Sequence, residues 1–456
     1  MITALALALA LAAPPPASAD VEPRAWTLEA LTAAAQVADP RVLSAAAELA
    51  RLRGVEAEVR AGARPSLEWT LSGDGPTPQL ENDPARLDAV NPSSRLRNGE
   101  LGKFGVHTHL GANLTWPVYT FGRLEAYETA AARGVLATTG TAQAARARAA
   151  RDAADIYWGY QLARRGLMGL DETDRQLAGA KEQVERMLAR GSAQASKQDV
   201  AQLDLVRAEL ATRRAEVSAA RELALEAART VAGVPSDAAF SLAAANIEPP
   251  AVQLSPLARY LEAAQTHRPE LAAAEENLRA REALLVARQR SWYPELVVTG
   301  SVDLNWTGST TPQTNPFAWD PYNRLWGSVG LALRGKLDPW RTGAVVAEEE
   351  AQVQRARAEV EAARRGVRQE VARAHSALRA ALDRSARLRD QDAAARRWLS
   401  QAELAFDNGS SDPQSVLLAA LATARASTER LAAARDAQLA LADLAVAIGG
   451  DPRAVK

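Results

Sequence analysis

Cysteine is absent from the 456 residues, which excludes disulfides, thiolate metal sites and a lipid-modified cysteine within them. Aromatic residues make up only 5%, and the 47% hydrophobic share is dominated by alanine, so there is little to fill a wide core. Such a composition suits long helices packed side by side, where small residues let the axes approach. Charge of one sign is lacking too. The formal net charge is −1, with Lys and Arg interleaved among Asp and Glu, which argues against a nucleic-acid partner and for solvated helix surfaces. Long apolar runs are also missing. No segment reaches the roughly 20 residues of a membrane-spanning helix, so any residence in a membrane must come from strands. Residues 1–19 end in Ala17-Ser18-Ala19 and read as a secretory signal cleaved before Asp20, although Met1-Ile2-Thr3 carries no positive charge. The mature chain is then expected outside the cytoplasm.

What the sequence does contain is a duplication. Leu28 to Asp74 and Leu257 to Asp303 align without a gap, Pro40 over Pro269 and Pro65 over Pro294. A second pair of landmarks, Arg190-Gly191-Ser192 and Asn408-Gly409-Ser410, is each followed by a long Ala/Arg-rich helical run that ends in Gly233 or Gly449. The expected organisation is a first repeat over 20–233, a linker over 234–254 with Pro235, Pro249 and Pro250, a second repeat over 255–450 and a tail over 451–456.

Strands are expected in four places. Phe104 to Trp116 puts Phe104, Val106, Leu110, Leu114 and Trp116 on one face and His107, His109, Asn113 and Thr115 on the other. Leu67-Trp69-Leu71 alternates in the same way, as does Leu296 to Trp306, which sets Asp303 and Asn305 among its polar positions. Leu325 to Arg334 is the fourth, with Val329, Leu331 and Leu333 opposed to Ser328 and Arg334. Trp116, Tyr119, Phe121, Trp292, Tyr293 and Trp340 gather where strands meet helices, while Trp306, Phe317, Trp319, Tyr322 and Trp326 lie at the opposite strand ends. Two aromatic girdles bracketing an apolar band are the mark of an outer-membrane barrel with a polar interior, lined here by His107, His109, Asn113, Asp303, Asn305 and Arg334. A soluble sandwich also alternates.

Four strands cannot close a barrel, and an open sheet edge in hydrocarbon leaves backbone groups unpaired at several kcal/mol each, so the chain is expected to oligomerise. Small or polar inward positions at Gly105, Gly111, Asn113, Ser328 and Gly330 favour twelve strands from three copies over eight from two. The helical pattern from Gly122 to Arg190 holds no proline and carries Leu170, Leu177 and Val184 at sevens. From Thr342 to Asn408 the second copy carries Val346, Val353, Val360 and Val367 at heptad spacing, then Val371 and Leu378. Each run of about 67 residues is roughly 100 Å at 1.5 Å per residue. Shorter partners start at Ser196, with Asp199 completing a capping box, and at Asp412-Pro413.

This order of elements, with helices closed by Pro65-Ser66-Leu67 and Pro294-Glu295-Leu296 and a strand ending in Trp116-Pro117-Val118-Tyr119-Thr120-Phe121-Gly122-Arg123, resembles the TolC-type outer-membrane efflux protein family over essentially the whole mature chain. The resemblance implies a mainly α chain with a transmembrane β-barrel portion. Three copies would form one 12-strand barrel in the bacterial outer membrane and one α-barrel of coiled-coil helices in the periplasm. It also implies a passive duct for substrates delivered by an inner-membrane pump and a periplasmic adaptor, which would meet the turns at Arg190, Gly191, Ser192, Asn408, Gly409 and Ser410. Two departures stand out. The segment Leu337 to Gly343 is about two residues longer than its first-repeat counterpart, and Ser415 and Leu418 stand where some members carry an aspartate ring.

Other chemistry is thin. His107-Thr108-His109 has a spacing that could bind metal, but alternating histidines on a polar face are more often solvated. No nucleophile, base and orienting group cluster, and the Gly-x-Gly pairs sit in loops, so neither an enzyme nor a cofactor is expected. A periplasmic adaptor or a soluble coiled-coil scaffold is the rival reading. An adaptor would carry a single hairpin flanked by small β-domains and lack the paired alternating strands.

Overall fold

The computed structural model describes residues 25–77, 105–192, 195–308, 310, 320, 322–408 and 410–455. The signal segment and most of both strand-connecting loops, including Phe104, Phe317 and Trp319, lie outside them, as does Gly409. The duplication is plain in the element order. The first repeat gives α1 (Leu28–Ala38), α2 (Pro40–Ala61), β1 (Ser66–Thr77), β2 (Gly105–Tyr119), α3 (Arg123–Ala189) and α4 (Lys197–Ala232). The second gives α5 (Leu257–His267), α6 (Pro269–Gln289), β3 (Glu295–Thr307), β4 (Arg324–Arg334), α7 (Pro339–Asp407) and α8 (Pro413–Ile448). The long helices hold 67 and 69 residues, and their shorter partners 36 each.

Local chemistry sets the helix ends. Ser196 accepts from the Asp199 N–H while the Asp199 carboxylate takes the Ser196 N–H, a complete capping box at the start of α4. Asp412 caps α8 ahead of Pro413 at the first helical position. The Ser415 hydroxyl and N–H donate to the Asp412 carboxylate and hold it below the usual carboxylate range. At the other ends, Gly233 and Gly449 take the left-handed conformation, with φ of 67° and 71°. α7 starts at Pro339, three residues before the expected Thr342, because a proline costs nothing at a first turn. The extra length after β4 is thereby absorbed into the helix.

The chain divides into two compact units. One holds the described residues of Met1–Leu43, Ala144–His267 and Gln369–Lys456. Its core packs Leu31, Ala35 and Val42 against Ala149, Ala153, Tyr157 and Trp158. The segment between the repeats belongs to this core and is not a loose tether. Phe240, Leu242 and Ile247 are buried, Trp26 forms a parallel bridge with Leu242, and the buried Gln161 amide donates to Ala243 O at 2.7 Å while its Oε1 accepts from Ala245 N at 3.2 Å. A second cluster joins Leu177 and Val184 of α3, Leu203 of α4, Leu399 and Phe406 of α7, and Val416 and Leu417 of α8. Small residues dominate the buried side of α8, chiefly alanines such as Ala419, Ala426, Ala433 and Ala437, which permits the close approach that alanine-rich composition suggests.

The seam of α7 is longer than the valine pattern reveals. Val353, Val360 and Val367 are buried, the step to Val371 is four residues, and burial then resumes every seven at Leu378, Ser385, Asp392, Leu399 and Phe406. A four-residue step is a stutter, which locally unwinds a supercoil. Ser385 and Asp392 hide in the sequence because they interrupt the apolar run. Asp392 is kept in place by two guanidiniums, Arg396 at 3.1 Å and Arg430 of α8 at 3.2 Å.

The other unit, Ser44–Gln143 with Arg268–Arg368, contains the sheet. Its four strands run antiparallel in the order β1-β2-β3-β4, so β1 and β4 are open edges. Between β2 and α3 the backbone is tight: Phe121 and Gly122 have φ of 52° and 79°, and Arg290 Nη1 donates to Gly122 O at 2.8 Å. A Cβ on residue 122 would fall 2.2 Å from that nitrogen. Gly122→Val is therefore expected to cost about 1–3 kcal/mol through left-handed strain and the displaced arginine. An unchanged urea midpoint for the refolded variant would show that the corner relaxes freely.

Candidate functional site

Strand register sorts the side chains into two faces, since paired residues and every second residue share a side. Leu110 lies between Leu71 and Leu304, Ala112 between Trp69 and Val302, Leu114 between Leu67 and Gly300, and Val298 beside Leu331. This apolar face is open. Val329 is 82% exposed and Leu325 73%, with Leu67, Trp69, Leu71, Val106, Leu331 and Leu333 also well exposed. Patches of this size on a soluble monomer are unusual and mark a surface that meets lipid or protein.

The opposite face is polar. Thr70, Gly111, Asp303 and Trp326 form one row, Ser72, His109, Asn305 and Arg324 the next, and Glu68, Asn113, Ser301 and Ser328 another. All six expected lumen positions, His107, His109, Asn113, Asp303, Asn305 and Arg334, fall on this side. His109 Nδ1 is 3.0 Å from Asn305 Oδ1. At the helix end of the face, Glu295 is gripped by Arg334, at 2.6 Å, and by Arg123. Among the described residues no group of three or more His, Cys, Asp or Glu side chains is placed to hold a metal ion.

The expected interface aromatics divide differently. Trp116 donates to Ala63 O at 3.2 Å, Tyr119 meets Phe121 at 4.7 Å, and Phe121 stacks on Tyr293 at 5.7 Å. Trp292 and Trp340 are exposed beside the strand–helix junctions, Trp340 at 85%. A bulge between Pro117 and Tyr119 brings Tyr119 opposite Leu296, on the apolar face, where unbroken alternation would have set it on the polar one. Trp306 pairs with Thr108 on the apolar face. Trp326 does not join it. It lies opposite Asp303 on the polar face, because it shares the parity of Ser328 and Arg334; position near a strand end is no guide to side.

The helix turns are built alike. Gly191 has φ of 71°, its N–H reaches Leu188 O and the Ser192 N–H reaches Met187 O, each at 3.0 Å, a Schellman ending. In the second copy the Ser410 N–H reaches Ala405 O at 2.9 Å and its hydroxyl donates to the same carbonyl at 3.0 Å. Arg190 and Asn408 occupy equivalent places just past the last helical residues.

No helix among the described residues is long and apolar enough to cross a membrane, so the two-faced sheet is the described element with a membrane-facing pattern. Comparison with known proteins agrees. A profile of the outer membrane efflux protein family matches residues 260–450, which is nearly all of the second repeat. The second repeat thus resembles the outer membrane efflux protein family.

No curated protein sequence matches it. Solved structures do. The channel CusC superposes with a TM-score of 0.74 at 19% identity, covering 93% of this chain and 92% of its own. The Campylobacter jejuni CmeC outer membrane channel gives 0.73 at 15% identity, over 93% of this chain and 85% of that one. The open state of the Neisseria gonorrhoeae MtrE outer membrane channel gives 0.72 at 18% identity, over 93% and 89%. At these identities the likeness shows the shared fold over both repeats, including the first, which the family profile does not reach.

Proposed function

We propose that three copies of this chain close their sheets edge to edge into a 12-strand barrel, and that the assembly is the outer-membrane exit duct of a tripartite efflux or type I secretion system. The carrying observation is the open four-stranded sheet: an exposed apolar face, a polar face bearing His107, His109, Asn113, Asp303, Asn305 and Arg334, and unpaired edges at β1 and β4. Hydrocarbon tolerates the apolar face but not the edges, and a symmetric ring of copies removes the edges altogether. Outer-membrane lipid would then meet Leu67, Val329 and Leu331. Trp116, Tyr119, Phe121, Trp292, Tyr293 and Trp340 would sit at one interface and Trp306 at the other, with Trp326 turned to the lumen.

The duct itself does no chemistry. An inner-membrane pump would supply the energy, and a periplasmic adaptor would dock at the turns around Gly191 and Gly409. The purified protein is expected to be a trimer in detergent and to sediment with outer membranes. Mass measurement that finds a stable monomer would remove the barrel-closing argument.

A further inference from the structure

The loop end of the polar face carries a cluster that the duct reading leaves without a role. His107 Nδ1 lies 3.9 Å from Asp74 Oδ2 on β1, and its ring stands edge-on to Tyr322 at 5.8 Å. Its Nε2 is buried and has no hydrogen-bond partner among the described residues. His109 is two residues on, on the same face. Its Nδ1 donates to Asn305 Oδ1, which leaves Nε2 as the proton acceptor, 3.9 Å from Asp303 Oδ1 on β3. Arg324 of β4 is in register with Asn305, and the buried Asp320 carboxylate accepts from the N–H of Tyr322 and of Asn323 beside it. Each imidazole is thus beside a carboxylate, at a spacing where a bound proton makes an ion pair.

The charge count decides what this can do. With neutral imidazoles, the carboxylates of Asp74, Asp303 and Asp320 face the one guanidinium of Arg324 and the described cluster is negative. With both imidazoles protonated that negative charge is cancelled. In a three-fold ring the charge of six such imidazoles changes together, inside a low-dielectric wall that focuses the field on the lumen. We propose that His107 and His109, with Asp74 and Asp303, are the charge-selecting residues of the duct. They favour cations while the imidazoles are neutral and lose that preference when they are protonated. The inference rests on the duct reading, and the test separates the two.

Full-length protein in planar bilayers between unequal KCl solutions reports ion preference as a reversal potential. The two pH values to compare are 7.5 and 5.5. They lie on either side of the range in which imidazole, alone among side chains, ordinarily changes charge. The expected result is cation preference at the higher pH that collapses at the lower. H107Q/H109Q should hold the same potential at both, each single variant should lose about half of the shift, and Asp303→Asn should weaken cation preference at pH 7.5 while keeping the pH response. A response that persists in the double variant, or a wild-type channel without one, overturns the assignment and leaves the duct intact. Inserted trimers that conduct at neither pH overturn the duct reading, and the selectivity assignment with it.

Discussion

Leu110→Arg is expected to destabilise the membrane-inserted protein by about 2–4 kcal/mol, the cost of a guanidinium on the lipid face near the bilayer midplane. Leu110 lies midway along the apolar band from Val106 to Trp116, in register with Leu71 on one side and Leu304 on the other, and is already 40% exposed in the single chain. No described carboxylate shares its row. Three residues along the same strand, Asn113 lies between Glu68 and Ser301 on the polar face, so Asn113→Arg should be accepted with little loss. Folding into lipid vesicles, followed by urea titration, reads both. Equal losses at the two positions would mean that the faces are not lipid and lumen.

Export should fail when Ser192 and Ser410 are both replaced by glutamate, although the trimer still assembles and inserts. The turns follow helices of 67 and 69 residues, so in a trimer six of them would present a surface toward the inner-membrane machinery. Gly191 supplies the left-handed ending and is left alone, and the backbone bond from residue 410 to Ala405 O survives a change of side chain. What is lost locally is the Ser410 hydroxyl bond to Ala405 O, at an exposed position and worth about 1 kcal/mol. Added bulk and charge at the proposed docking surface are then the main effect. Drug-susceptibility or secretion assays in cells that hold the pump and adaptor measure it. Normal export by correctly inserted S192E/S410E trimers would place the adaptor contacts elsewhere on the α-barrel.

The sequence by itself determined the repeat architecture, the four strands, the helix ends and the sidedness of most strand residues. These are local properties. A capping box such as Ser196 to Asp199, a proline at a first turn and a period-two alternation each act through neighbours only a few residues apart, so they can be read without knowing what packs against them. The tertiary structure alone decided features that depend on a partner from far along the chain. The bulge at Pro117 and Tyr119 exists only relative to β3, yet it moves Tyr119 to the apolar face. The parity of Trp326 became evident once Asp303 stood opposite it. Asp392 looks like a surface residue until α8 brings Arg430 within 3.2 Å, because a charge enters a helix seam only when a counter-charge on another element offsets its desolvation. The buried Gln161 likewise finds its role only when the segment between the repeats supplies the backbone of Ala243 and Ala245. Periodicity records which face a residue occupies, whereas the partner that makes a polar residue tolerable on that face is set by the fold.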